Sequence, residues 1–236
     1  MTPPQTNALR TLVELAREGH DVHAAHSKDF PFYEIYERYF APLRDLPLTI
    51  LELGVYEGES TKVFSRYFPN ARIVAVDMVL RDIDFSAHPN VSYHECNQTN
   101  GEALRALVDR EAPNGLDIVI DDASHVGWFT QISFYHLFPR LVQGGLYVVE
   151  DWTTGYLPDW DDGGPFQRFD VASINRRIPM RIPSHDFGMV GAVKWMLDIL
   201  GSPYIGGEGA VPAFGPNPLE FVHAYTSTVV MRKWPT

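Results

Sequence analysis

A chain of 236 residues, of which 45% are hydrophobic, is long enough to bury a sizeable core within one large domain. Its formal net charge of −11 disfavours a nucleic-acid partner, because such a partner requires a basic surface that neutralises phosphates. Its one cysteine, Cys96, excludes an intrachain disulfide and is compatible with a reducing compartment.

The chain shows no sign of a targeting segment or a membrane helix. Residues 1–5 are not a basic stretch followed by an apolar core, as a signal peptide requires. No apolar run approaches the roughly 18–20 residues that a membrane helix needs. We therefore expect a soluble cytoplasmic protein that does not interact with a membrane.

The predicted elements alternate between helices and strands. Apolar residues at helical spacing predict helices over residues 9–16 and 32–43. Residues 48–53 then form a short, nearly all-apolar run that Gly54 stops, which is typical of a buried parallel strand. Similar runs follow at residues 73–76, 91–93, 116–120 and 146–149, with helical patterns at residues 59–67, 102–110 and 128–141. This alternation predicts a Rossmann-like, doubly wound α/β sheet that is mostly parallel, with ligands beyond the carboxyl ends of its strands.

The pattern changes after the fifth predicted strand. Residues 153–183 are rich in Gly, Pro and Asp, and a loop of this length within a domain is usually functional, so we interpret it as a lid. Residues 190–200 predict a helix, and residues 219–225 and 227–231 predict two antiparallel strands. We thus divide the chain into an N-terminal helical segment, residues 1–46, and an α/β domain, residues 47–236, that carries the lid and ends in an antiparallel hairpin.

The ends of the first two predicted strands point to a nucleoside-containing cofactor. Gly54 follows the first strand, in which Glu52 also lies, and a glycine there allows close approach of a ligand, although a plain β–α turn explains it equally well. The second strand ends in Asp77, where an acid can accept hydrogen bonds from both ribose hydroxyls. The chain lacks a phosphate-binding G-x-x-x-x-G-K-[ST] loop, and Tyr56 replaces the second glycine of the dinucleotide motif. These absences favour S-adenosylmethionine over a nicotinamide dinucleotide.

Acidic residues follow the fourth and fifth predicted strands. Asp121 and Asp122 end the fourth strand, and Glu150 and Asp151 end the fifth. Because these strands are neighbours in such a sheet, Asp122, Glu150 and Asp151 should converge, and crowded carboxylates hold either a proton or a cation. Oxygen ligands favour Mg²⁺, Mn²⁺ or Ca²⁺ over zinc, although acids at strand ends also cap helices or face water. Since side chains alternate along a strand, Asp121 should point to the opposite face, and we assign it to cofactor binding or to structure.

One histidine lies beside these acids. His125 follows Asp122 by three positions, just beyond the fourth strand. A histidine titrates near neutrality, so it can accept a proton from an acceptor hydroxyl as a general base. Capping of a helix and ligation of the metal are the alternative roles for this side chain.

Four motifs together resemble a known family, the metal-dependent sugar O-methyltransferases, of which the mycinamicin-type macrolide sugar methyltransferases are the nearest. They are residues 50–55 (Ile-Leu-Glu-Leu-Gly-Val), 120–125 (Ile-Asp-Asp-Ala-Ser-His), 137–139 (Leu-Phe-Pro) and 144–151 (Gly-Gly-Leu-Tyr-Val-Val-Glu-Asp). The resemblance covers roughly residues 27–157 and implies the class I methyltransferase fold, S-adenosylmethionine, and Mg²⁺ or Mn²⁺. It implies metal ligands at Asp122, Glu150 and Asp151, and a general base at His125.

The resemblance also implies adenosine contacts near Asp77 and Gln98. The chain departs from the family at Ala123, where the family usually has glycine, and at Asn97, where it usually has aspartate. We assign Asn97 to the cofactor site together with Glu52 and Gly54 at the end of the first strand.

We therefore expect an Mg²⁺-dependent O-methyltransferase that acts on a sugar, glycoside or oligosaccharide and forms a homo-oligomer. A reductase that uses a nicotinamide dinucleotide is disfavoured, because the chain has no Tyr-x-x-x-Lys pair. Two further alternatives remain, a metal-site protein of the cephalosporin hydroxylase type and a non-catalytic protein that binds S-adenosylmethionine.

Overall fold

The computed structural model describes residues 10–19, 30–166, 185–205, 214–216 and 218–235. Within these ranges seven strands form one sheet in the order β3-β2-β1-β4-β5-β7-β6. The strands are β1 (Thr49–Leu53), β2 (Arg72–Asp77), β3 (Val91–Glu95), β4 (Leu116–Asp121), β5 (Leu141–Glu150), β6 (Leu219–Ala224) and β7 (Thr228–Lys233). The first five are parallel, and β7 is antiparallel to both β5 and β6. The predicted sheet, mostly parallel with an antiparallel hairpin at its end, is confirmed.

Helices cover both faces of the sheet. They are α1 (Leu12–Gly19), α2 (Phe30–Phe40), α3 (Glu59–Tyr67), α4 (Gly101–Glu111), α5 (Gly127–Leu137) and α6 (Gly188–Ile205). Short 3₁₀ helices span Ala41–Leu43, Phe138–Arg140 and Trp152–Tyr156. Helices α1 to α3 enclose one hydrophobic core and α4 to α6 enclose the other. In the described part of the chain, every helix is too short or too polar to cross a membrane.

Alternation along the strands places the acids of β4 and β5 on different faces. Ile120 of β4 and Val148 of β5 belong to the core under α1 to α3. Asp122 and Glu150 come two positions after Ile120 and Val148. Because side chains two residues apart along a strand share a face, both acids lie towards the same face of the sheet. Asp121 is one residue out of step and contacts Ser133 of α5 on the opposite face, as predicted.

The main error in the predicted elements concerns the start of β5. The predicted helix over residues 128–141 ends at Leu137, and β5 begins at Leu141 rather than at residue 146. Pro139 lacks a backbone N–H and cannot continue the helix, so a 3₁₀ turn follows instead. The pairing between β4 and β5 is irregular before Leu146, where Gly144 adopts a φ of 75°. These two features explain why the early half of β5 has no strand-like pattern in the sequence.

The two predicted peripheral segments are only partly described. Residues 1–9 and 20–29 of the predicted N-terminal helical segment lie outside the described residues, and the first helix spans Leu12–Gly19 rather than residues 9–16. Residues 167–183 of the predicted lid also lie outside them. The beginning of that segment forms the 3₁₀ helix Trp152–Tyr156, which packs against α6. The assignment of a lid therefore stays a prediction.

Candidate active site

A cavity of about 1000 Å³ lies at the carboxyl ends of the parallel strands. One part, which we call the glycine-turn half, is lined by residues at or just after the ends of β1, β2 and β3, namely Gly54, Tyr56, Asp77, Asn97 and Gln98. The other part, the carboxylate half, is lined by residues at the ends of β4 and β5 and by the following loop, namely Asp122, His125, Glu150, Asp151 and Trp160. The two halves meet where β1 and β4 run side by side.

Gly54 forms the junction between the halves. Its φ of 85° lies in the left-handed region, which glycine adopts without strain. A Cβ atom at this position would lie 2.2 Å from the carbonyl oxygen of Asp122 and 2.9 Å from the Cα atom of Ala123. The turn after β1 therefore touches the loop after β4 directly, and only a glycine leaves room for that contact.

Asp77 holds the glycine turn in place from the end of β2. Its Oδ2 atom accepts hydrogen bonds from the backbone N–H groups of Val55 at 3.0 Å and Tyr56 at 2.9 Å. Its Oδ1 atom accepts one from the N–H of Val79 at 3.1 Å, and the guanidinium of Arg81 lies 3.2 Å from Oδ2. Bonds from several donors to an ionised carboxylate are stronger than neutral ones, so Asp77 enters the cavity in a fixed orientation.

Gln98 connects the two halves through a buried network. Its Nε2 atom donates to Oδ1 of Asp121 at 2.8 Å, and its Oε1 atom accepts from the hydroxyl of Ser124 at 2.8 Å. The hydroxyls of Ser133 and Tyr147 donate to the other carboxylate oxygen of Asp121. Burial raises the pKa of Asp121 to about 6. The amide of Gln98 is thereby held in one orientation at the cavity wall.

The structure corrects the placement of two predicted cofactor residues. Asp121 is buried behind Gln98, and Glu52 accepts hydrogen bonds at 2.5 Å from the hydroxyls of Ser60 and Thr61 in the first turn of α3. Neither carboxylate lines the cavity, so each supports residues that do. Asn97 does line the cavity, and its Oδ1 atom accepts from the backbone and the hydroxyl of Thr99 at 2.8 Å.

Three predicted residues converge in the carboxylate half. Asp122, His125 and Asp151 each offer one ligand atom, and these atoms lie within 4.8 Å of one another. The Nε2 atom of His125 is 3.7 Å from Oδ2 of Asp151. Two carboxylates and one imidazole at this spacing suit a divalent cation such as Mg²⁺ or Mn²⁺. The spacing is compatible both with ligation of a cation by His125 and with its use as a base.

Glu150, the third predicted ligand, lies beside this group but not within it. Its side chain is buried and lines the cavity, and it accepts a hydrogen bond from the hydroxyl of Tyr36 on α2. Burial and the negative charge of Glu150 raise the pKa of Tyr36 well above its ordinary value, and Asp122 adds to the effect. The phenol therefore stays protonated and acts as a donor. Sequence reasoning assigned Tyr36 no role, because its partner Glu150 lies 114 positions away in the chain.

The backbone of the cavity wall is strained at three places. Among the described residues other than glycine, positive φ angles occur at Tyr56 (49°), His125 (52°) and Asp151 (51°), and all three line the cavity. Such conformations cost on the order of 1–3 kcal/mol each and persist only where surrounding contacts enforce them. Their presence at one cavity supports a functional role for it.

The loop after β5 enforces the conformation around His125. The carbonyl oxygen of His125 accepts a hydrogen bond from the indole Nε1 of Trp160 at 3.0 Å and one from the hydroxyl of Thr154 at 3.4 Å. Two residues further on, the N–H of Gly127 donates to Oδ2 of Asp162 at 2.6 Å. The start of α5 is thus held at His125 and at Gly127 by residues that lie 29 to 35 positions later in the chain, and no sequence pattern indicates these contacts.

No protein-family profile matches the chain. It is 39% identical over 151 residues to the 8-demethyl-8-alpha-L-rhamnosyl tetracenomycin-C 2'-O-methyltransferase of Streptomyces olivaceus, a match that covers 60% of this chain and 37% of the relative. It is 32% identical over 214 residues to the 8-demethyl-8-(2-methoxy-alpha-L-rhamnosyl)-tetracenomycin-C 3'-O-methyltransferase of the same organism, covering 86% of this chain and 49% of the relative. The chain thus spans about half the length, or less, of these curated relatives.

Solved structures establish the fold. The chain superposes with a TM-score of 0.75 and 23% identity on the MycE methyltransferase from the mycinamycin biosynthetic pathway in complex with Mg, SAH and mycinamycin VI. This match covers 96% of this chain and 54% of that one. The predicted class I methyltransferase fold is confirmed, and so is the resemblance to sugar O-methyltransferases on which the sequence interpretation drew.

Proposed function

We propose that this chain is an Mg²⁺-dependent O-methyltransferase that moves the methyl group of S-adenosylmethionine to a hydroxyl of a sugar, glycoside or oligosaccharide. One observation carries the proposal. Asp122, His125 and Asp151 meet within 4.8 Å at one side of a cavity whose other side is the glycine turn of a methyltransferase fold. The names of the curated relatives support a sugar hydroxyl as the acceptor.

The glycine-turn half is proposed to hold the cofactor. Asp77 and Gln98 line this half with orientations fixed by hydrogen bonds, which suits recognition of a ribose and an adenine. Asn97 and Gly54 complete the wall beside them. Fixed polar groups bind a ligand without first losing conformational freedom, so this half positions the methyl group for an in-line transfer.

The carboxylate half is proposed to hold the cation and to deprotonate the acceptor. When bound, the two cofactors supply an activated methyl group and a divalent positive charge. Asp122, Glu150 and Asp151 would hold the cation, since carboxylates are ligands that Mg²⁺ and Mn²⁺ prefer. His125 accepts the proton of the acceptor hydroxyl at Nε2, and the carboxylate of Asp151, 3.7 Å away, stabilises the imidazolium that forms.

The test is methyl transfer from labelled S-adenosylmethionine to a panel of glycosides, measured with Mg²⁺, with EDTA, and with EDTA followed by excess Mg²⁺. We expect transfer with Mg²⁺, none with EDTA, and recovery on addition of Mg²⁺. Full activity in EDTA would contradict the metal role. Cofactor binding by calorimetry without transfer to any glycoside would contradict the acceptor class and favour a protein that only binds the cofactor.

Three further expectations accompany this function. The acidity of the chain supports the absence of a nucleic-acid partner, since few basic groups are present to contact phosphates. A cytoplasmic location is proposed because the function requires S-adenosylmethionine. A homo-oligomer is expected by analogy of fold, and light scattering that gives the mass of one chain would contradict it.

A further inference from the structure

A tyrosine of the N-terminal helical segment reaches the carboxylate half. The hydroxyl of Tyr36 donates a hydrogen bond to Oε1 of Glu150, which lies 114 positions later in the chain. The two residues are 0% and 1% exposed, so water does not compete for this bond. A charge-assisted hydrogen bond in a buried setting is both stronger and more directional than the same bond at a surface.

The ring of Tyr36 is held on several sides. It stacks on Phe40 with centroids 5.0 Å apart and an interplanar angle of 12°. It meets Phe64 edge-on at 5.8 Å and Tyr33 edge-on at 6.4 Å. Close packing of aromatic rings on this scale leaves a side chain little freedom to change rotamer. The position of the hydroxyl is therefore determined by helix α2 and its core rather than by Glu150.

The contact leaves Glu150 able to reach a cation. A carboxylate has two oxygens and about four acceptor positions, so a bond from Tyr36 at Oε1 does not exhaust its capacity. Glu150 and Asp122 lie on the same face of the sheet at the ends of neighbouring strands. The negative charges of both carboxylates raise the pKa of Tyr36. The bond from Tyr36 thus fixes the orientation of a carboxylate that lines the same cavity as Asp122, His125 and Asp151.

We propose that Tyr36 is a positioning residue of the metal site, which holds the carboxylate of Glu150 in the orientation that binds the cation. The inference rests on the proposed metal role of Glu150 and extends the site to helix α2. Groups that hydrogen-bond to metal ligands orient them, and their loss typically lowers metal affinity by about 10–100-fold.

The experiment compares Mn²⁺ binding, by calorimetry and electron paramagnetic resonance, in the wild-type chain and in Tyr36→Phe. We expect the Kd for Mn²⁺ to rise about 10–100-fold in the variant, while the affinity for S-adenosylhomocysteine changes less than about threefold. The matched control is Tyr67→Phe. In the wild type the hydroxyl of Tyr67 donates to Oε1 of Glu37 at 2.8 Å, on the same side of the sheet but away from Asp122, His125 and Asp151. This control should bind Mn²⁺ as the wild type does.

A double-mutant cycle separates positioning from general packing. If Tyr36 acts through Glu150, then Tyr36→Phe should not weaken Mn²⁺ binding further when it is added to Glu150→Ala. An additive loss, an equal loss in Tyr67→Phe, or unchanged Mn²⁺ affinity in Tyr36→Phe would each overturn the inference. If the wild-type chain itself binds no Mn²⁺, the metal role in the proposed function fails, which is a distinct result from failure of the tyrosine alone.

Discussion

The two halves of the cavity are built in opposite ways. In the glycine-turn half the polar groups hold one another, since Asp77 accepts from the turn and Gln98 lies between an acid and a serine. In the carboxylate half Asp122, His125 and Asp151 crowd together, with ligand atoms within 4.8 Å of one another. The first half is organised before a ligand arrives, whereas the second gathers like charges that a cation would stabilise. Substitutions in one half should therefore leave the ligand of the other half bound.

The largest effect is expected for His125→Ala. Loss of a positioned base should lower kcat by about 10²–10⁴-fold while S-adenosylhomocysteine and Mn²⁺ bind nearly as before. Steady-state kinetics and calorimetry on the same preparation measure the three quantities. Loss of Mn²⁺ binding would show that His125 is a ligand, and the division of labour within the carboxylate half would then be wrong.

A smaller effect, confined to the other half, is expected for Asp77→Ala. The turn loses an ionised acceptor whose bonds are worth about 1.5–3 kcal/mol, so cofactor affinity should fall by about 10–100-fold. Mn²⁺ affinity serves as the internal control and should not change. If Asp77→Ala lowered the affinities for the cofactor and for Mn²⁺ together, the contrast between the two halves would be wrong, because they would not be organised independently.

The smallest effect is expected for Trp160→Phe, which keeps an aromatic ring but removes the N–H that bonds the carbonyl of His125. A single neutral hydrogen bond contributes about 1 kcal/mol, so kcat should fall roughly fivefold with cofactor affinity unchanged. Trp152→Phe is the matched control, because its indole donates at 2.8 Å to the carbonyl of Tyr225 instead. Equal losses of kcat in the two variants would count against a specific role of Trp160.

Hydrophobic periodicity was sufficient to predict the sheet and the edge of it at which the cavity lies. Buried parallel strands are short apolar runs, and the acids that follow them must gather at one edge, so the sequence predicted that Asp122, Glu150 and Asp151 converge. The structure groups Asp122 and Asp151 with His125 and places Glu150 beside them in the same cavity. The alternation of side chains along a strand also predicted that Asp121 and Asp122 point to opposite faces of the sheet, and Asp121 does contact Ser133 of α5. These features depend on local patterns and on the regular geometry of a sheet.

Features that depend on distant contacts were not predictable. The bond between Tyr36 and Glu150 joins parts of the chain 114 positions apart, so the strand-end pattern that marks Glu150 does not indicate its partner. The left-handed conformations of His125 and Asp151 likewise have no sequence signal, because residues other than glycine adopt them only under tertiary constraint. Glu52 was assigned to the cofactor because it lies near the end of the first strand. Its carboxylate instead accepts hydrogen bonds from Ser60 and Thr61 of α3.

The contact at Gly54 has a thermodynamic consequence. With only hydrogen at its α-carbon, this residue packs directly against the carbonyl of Asp122, so the turn after β1 and the loop after β4 are in contact. Any free energy that cation binding adds to cofactor binding must equal the free energy that the cofactor adds to cation binding, because the two routes to the ternary complex form a closed cycle. Measured in either order of addition, any coupling between the two ligands should have one value, and the contact at Gly54 is one place where the two halves of the cavity touch.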